Sequence, residues 1–167
     1  MINNEIKNKI IAITKLDQNL RKDIFRNGHK PTKDEMSQLK KIDIDSTNFM
    51  KEIINEYGLP TIQKVGKLAS FNAWLLVQHS SDIKFQKHYL KLLKNAKKNE
   101  VKAEHAAYLE DRILMKEGRP QIYGTQVIFD KKTREAKPYK LVDKNNIDQM
   151  RFSVGLETLD EYLKSFL

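Results

Sequence analysis

Four groups of residues in this chain have the types and spacing that could do chemistry. The first is Asp17, with Gln18 beside it and Arg21 one turn on. Ile10, Ile13, Leu20 and Ile24 follow a three-four spacing, and Asp17 takes the missing place in that apolar stripe. A carboxylate there either faces inward or forms a surface pair with Arg21, which would contribute only ~0.3–0.5 kcal/mol. The second group is Gln78-His79-x-x-Asp82. An imidazole held by a carboxylate is the usual arrangement of a general base or a metal ligand. The plainer reading is a histidine that ends one helix beside an aspartate that caps the next.

The third group is Tyr108-x-x-Asp111-Arg112. Tyr108 and Arg112 are four apart and share a helix face, and a guanidinium can grip a carboxylate or phosphate with two parallel bonds. A structural salt bridge would use the same residues. The fourth is Gln121-x-Tyr123-Gly124-Thr125-Gln126, where amide, phenol and hydroxyl groups crowd into six positions. Gly124 weakens a strand unless a backbone or a ligand approaches closely. An exposed hairpin with a bulge is the alternative.

Taken together these residues predict an enzyme, a hydrolase or group transferase acting on a polar, anionic small molecule or peptide. His79 serves as general acid or base, with Asp82 or Asp111 orienting it and Arg112 anchoring the anion. Asp17, Gln18, Arg21, Gln78, Tyr108, Gln121, Tyr123 and Gln126 supply the ligand contacts. An imidazole with an unperturbed pKa near ~6.5 suits proton transfer at cellular pH. The sequence has no phosphate-cradling glycine loop, nucleophile elbow or dinucleotide fingerprint, and no cofactor is expected. His79, Asp82, His105 and Asp111 could offer metal ligands, yet no His-Glu-x-x-His or comparable spacing exists, so no metal is expected either. The competing reading is a non-catalytic binding or regulatory domain whose polar residues recognise a partner or form a satisfied buried network.

Composition narrows the classes. The chain has 167 residues and no cysteine, which excludes disulfides, thiolate metal sites and a cysteine nucleophile. The longest apolar run, Ala73 to Val77, is too short for a bilayer, and the N-terminus lacks a signal-peptide layout, so a cytoplasmic location is expected. A net charge of +9 speaks to solubility and non-specific association. Lys84, Lys87, Lys91, Lys94 and Lys98 form a stripe that could touch phosphates. No aromatic stands on the stripe itself, which argues for a solvated face and against nucleic acid as a partner.

The elements that must position these residues are mainly helical. Apolar periodicity predicts a helix over 2–27 closed by Gly28, and a second opened by a Thr32/Glu35 capping box, with a break near Asp45-Ser46 and an end at Gly58-Leu59-Pro60. Leu68 to Val77 is apolar almost all round, as a buried central helix would be. Asp82 caps the next helix, and another runs from about Ala103 to Glu117. At Gln121 the period changes to two, predicting a hairpin from Gln121–Phe129 to a strand around Tyr139–Val142. Two short helices close the chain, the last opened by Thr158 and Glu161. The expectation is a mainly α, multi-helix single domain over 1–167 with one small β-hairpin.

Several of these segments, in this order, resemble a widespread bacterial family of unknown function. They are Ala73-Trp74-Leu75-Leu76-Val77 followed by Gln78-His79, then Phe85-Gln86, Tyr108-Leu109-x-Asp111-Arg112, and Gly118-Arg119-Pro120-Gln121-Ile122-Tyr123-Gly124-Thr125-Gln126. Asp17-Gln18 with Arg21, Gly58-Leu59-Pro60, Val65-Gly66, Gly155-Leu156 and Glu161-Tyr162-Leu163 extend the likeness over nearly the whole chain. The family carries an acidic residue soon after the histidine, whereas here Ser80-Ser81 precede Asp82. The resemblance implies that the scattered polar residues act as one site. It implies no activity.

Overall fold

A stripe of apolar residues every three or four positions makes a helix amphipathic, and the chain's longer helices carry one; seven helices form among its described residues. The computed structural model describes residues 2–26, 29–130, 132–133 and 135–166; the expected Gly28 stop lies outside them. The fold is mainly α with one small two-stranded sheet. The chain resolves into two compact units, Met1–Val101 and Lys102–Leu167.

In the first unit, α1 (Asn4–Phe25) starts at Asn3, whose side chain accepts the Ile6 N–H. α2 (Lys33–Tyr57) opens with the predicted Thr32/Glu35 capping box and stops at Gly58. It runs unbroken through Asp45-Ser46, a correction to the expected break. Ser46 and Thr47 are buried on the face that also carries Leu39 and Met50, and packing of that face outweighs the capping tendency of the two residues. α1 and α2 both pack against α3 (Ile62–His79), and α4 (Ile83–Asn95) follows with Asp82 as its N-cap. α3 is kinked at Gly66, whose φ of 82° lies in the left-handed region. Val65, Ala69, Ala73, Leu76 and Val77 are buried, but Leu68 and Phe71 are exposed. The helix is therefore amphipathic rather than buried all round. α4 ends at Asn95, so Lys98 falls beyond the helix that carries the other stripe lysines.

The second unit consists of α5 (Ala103–Lys116), β1 (Val127–Phe129), β2 (Ala136–Pro138), α6 (Ile147–Ser153) and α7 (Leu159–Lys164). Thr158 and Glu161 form the expected capping box before α7. The strands pair antiparallel with Ile128 opposite Lys137. They are shorter than the period-two pattern predicts, and the second lies three residues earlier than expected. Residues 121–126 are not strand because the N–H groups of Ile122, Tyr123 and Thr125 turn to the Asp111 side chain of α5. Gln121 still meets Leu141 in a single parallel bridge. Among the described residues, no helix is long and apolar enough to cross a membrane.

Candidate functional site

The candidate residues divide between the units, and each set is built differently. Asp17 stands on the buried face of α1 with Ile6, Ile10 and Ile24, and it is fully buried. Burying a lone carboxylate costs several kcal/mol unless partners satisfy it. Here three side chains do. Arg21 Nε donates to Oδ1 at 3.0 Å, Gln18 Nε2 donates to Oδ2 at 2.7 Å, and His79 Nδ1 lies 2.9 Å from Oδ2. Arg21 also bridges to Asp43 of α2, so one guanidinium ties two carboxylates together.

His79 is the last residue of α3, and the end of that helix is fixed from outside. Gln86 of α4 is buried and its amide donates to the Gln78 carbonyl and to the Val77 carbonyl, which also accepts the Ser80 N–H. Ser80, the C-cap, is buried too. Its hydroxyl accepts from Thr47 Oγ1 at 2.8 Å and from the Asp82 N–H at 3.2 Å. The Ser80 hydroxyl is thus committed to joining α2 with the helix junction. Helix ends held at this many points leave the imidazole little freedom to leave Asp17.

Burial pushes the Asp17 carboxyl up, but the His79 hydrogen bond and charge, Gln18 and Arg21 outweigh it and hold it below the usual carboxylate value. At neutral pH Asp17 is ionised and can only accept hydrogen bonds. It follows that Nδ1 of His79 carries the proton. In the neutral ring Nε2 then holds the lone pair, and among the described residues it makes no hydrogen bond. Asp43 behaves oppositely: burial pushes its carboxyl up despite the facing Arg21.

The partner of His79 is therefore Asp17, in place of the expected Asp82 or Asp111. Asp82 caps α4 by accepting from the Phe85 N–H and pairs with Lys51 at 2.8 Å. Gln78 is buried. Asp17, Asp43 and His79 each place a ligand-type atom within 4.8 Å of the others, the one such set among the described residues. It differs from the set that spacing offered, and the Arg21 guanidinium already stands between the two carboxylates as their cation.

In the second unit Asp111 is fully buried and surrounded by one loop. The N–H groups of Ile122, Tyr123 and Thr125 and the hydroxyl of Thr125 all donate to it, at 2.7 to 3.1 Å. Burial pushes this carboxyl up, against four donors that favour its ionised form. Gln121 is equally enclosed. Its amide donates to the Gln126 and Tyr139 carbonyls and accepts from the Gln126 N–H. The expected alternation of Gln121, Tyr123 and Thr125 on one strand face is replaced by a loop wound around a carboxylate. Gly124, at φ 67°, lets the loop turn, and a Cβ there would meet Leu159 Cδ1 at 3.1 Å. The close approach inferred from sequence comes from leucine side chains. Tyr108 stacks edge-on against Tyr162, and Arg112 lies half-buried on α5.

A family model matches residues 4–166 of the chain. The chain belongs to the family of unknown function DUF6624. No curated protein and no solved structure matches it.

Two residues of this DUF6624 chain escaped the sequence reading. Asp43 interrupts the Leu39–Met50 face of α2 just as Asp17 interrupts that of α1, so the same test would have found it. Arg151, on the short α6, is fully buried. It donates to the Tyr123 and Glu157 carbonyls and lies 4.9 Å from the centre of the Tyr162 ring. A helix of seven residues gives too little periodicity to mark it.

Proposed function

We propose that this protein is an enzyme, a hydrolase or group transferase, in which His79 is the general acid–base group and Asp17 its positioning residue. The observation that carries this reading is the 2.9 Å contact between Asp17 and His79 Nδ1. It fixes the tautomer and leaves Nε2 as the nitrogen that exchanges protons with a bound molecule. Arg21 and Gln18 keep Asp17 ionised, so the dyad stays poised as the imidazole gains and loses its proton. A polar substrate fits a site whose partly exposed side chains are His79 and Arg21.

The test is a screen of the purified chain against ester, amide and phosphoester panels, run beside His79→Gln and Asp17→Asn. Wild-type turnover should fall at least ~100-fold in His79→Gln, the usual contribution of a general base. Asp17→Asn should lower kcat and alter the pH profile with KM little changed. Turnover that survives His79→Gln in a folded variant overturns the reading.

A further inference from the structure

The first unit contains a cleft of about 370 Å³ between α1 and α2 that the His79 reading does not use. Ile13 and Leu16 of α1 and Ile42 of α2 give it apolar walls. Ser46 is the one buried residue that lines it, so its floor is a small side chain. The Ser46 hydroxyl is shut off from solvent and makes no hydrogen bond among the described residues. The floor is therefore a hole to be filled, not a polar group waiting for a ligand. Leu16 stands at the rim, 63% exposed, more than any other large apolar side chain described in the first unit. A lone exposed leucine is ordinary. One beside an apolar hole is a knob next to a socket, the pairing by which helices interlock.

The polar residues at the mouth indicate what carries the knob. Gln38, Lys41 and Asp45 line the cleft from one edge of α2, and all three are exposed. Lys41 and Asp45 lie one turn apart, yet they form no ion pair with each other or with any other described residue. Lysine ahead of aspartate is the less favourable order for such a pair on a helix. A cation and an anion set side by side along one helix match the same pair turned end for end. Under a twofold axis across α2, Lys41 meets Asp45 of the second copy and Asp45 meets its Lys41. That reciprocity is what an isologous interface requires. An unrelated partner needs neither the opposite charges one turn apart nor a knob and a hole on one face.

We propose that this face of α1 and α2 binds a second copy of the chain in a twofold dimer. Leu16 of each copy fills the cleft of the other, and Lys41 pairs with Asp45 across the axis. Apolar contact supplies the affinity. The charges fix the register and exclude the parallel arrangement, which sets Lys41 against Lys41 and Asp45 against Asp45. His79 takes no part in the interface, so the proposal stands or falls apart from the acid–base reading.

The experiment measures mass in solution by sedimentation equilibrium, on the full chain at about 50 μM, above the micromolar Kd of a weak interface of ordinary size. The wild type should be a dimer. Leu16→Lys, Lys41→Asp and Asp45→Lys, all at exposed positions, should each raise the dimer Kd at least ~10-fold while circular dichroism shows unchanged helix content. Lys41→Asp combined with Asp45→Lys in one chain should restore the dimer. The two single charge variants, mixed, should form a heterodimer, because one copy then carries only acids at the mouth and the other only bases. His79→Gln should dimerise as the wild type does. A monomeric wild type at that concentration overturns the proposal and leaves the cleft to a different partner. A dimer indifferent to Leu16→Lys and Lys41→Asp overturns it too, since another face then joins the copies. So does failure of both the combined and the mixed variants to restore pairing.

Discussion

Asp17 and Asp111 are both fully buried, yet their surroundings have nothing in common. Asp111 is held almost entirely by backbone: three N–H groups of one loop and one hydroxyl. Those donors have no other partner if the carboxylate goes, and none can accept a proton. Asp17 is held by three side chains, a histidine, an arginine and a glutamine, from two helices. One of them is an imidazole, a group that can both donate and accept a proton, and its side chain is partly exposed. A carboxylate that organises main chain shapes the fold, whereas one that organises ionisable side chains sets up chemistry. Buried polarity by itself does not separate the two; the kind of donor does.

Removing Asp111 should therefore have the largest effect on stability. Asp111→Ala orphans three N–H groups at ~1–3 kcal/mol each, so a loss of roughly 3–9 kcal/mol is expected in urea unfolding. A loss below ~1 kcal/mol would break the contrast. Asp17→Asn should cost less, ~1–2 kcal/mol, because Arg21 retains Asp43 and an amide still accepts. His79→Gln should shift Tm by only a few degrees, at about 2–4 °C per kcal/mol for a chain of this size. If His79→Gln destabilises as much as Asp111→Ala, the first-unit cluster is architectural too.

Gly124→Ala should cost ~1–2 kcal/mol, from positive φ and from the Leu159 contact, seen as a lower thermal midpoint. A pH series sharpens the second unit further. Burial lowers the His105 pKa from 6.5 to about 4, so the folded state resists a proton that the unfolded chain accepts. That contribution to stability is intact above pH 6.5 and is lost as pH falls toward 4. Asp17, also depressed, loses its contribution only at lower pH, below the ordinary carboxylate range. In His105→Gln the loss between pH 6.5 and 4 should shrink. The smallest effect belongs to Lys51→Ala: the Lys51–Asp82 pair is partly exposed, and breaking it should change stability by no more than ~1 kcal/mol.

Helices and caps were legible because they depend on neighbours in sequence. Thr32 with Glu35, Thr158 with Glu161, and Asp82 each cap where their types and spacing indicate. Asp17 was legible as an inward carboxylate because it breaks a stripe. Its partner was not: His79 lies 62 positions away, and spacing favoured Asp82, which its own helix claims first. The hairpin was misplaced for a related reason. Period-two alternation from Gln121 to Phe129 is a genuine strand signal, but Asp111 competes for the same N–H groups and takes them.

The chain separations of these contacts bear on the order in which the two arrangements can form. The loop bonds to Asp111 join residues 11 to 14 apart, while Asp17 and His79 are 62 apart. Closing the longer loop costs about 1.5 kcal/mol more in chain entropy, as the logarithm of length requires. In a nascent chain the Asp111 turn can close within one short segment of synthesis. The Asp17–His79 contact, though its residues emerge earlier, needs α2 and α3 to be complete, so one arrangement matures locally and the other only once most of its unit is made.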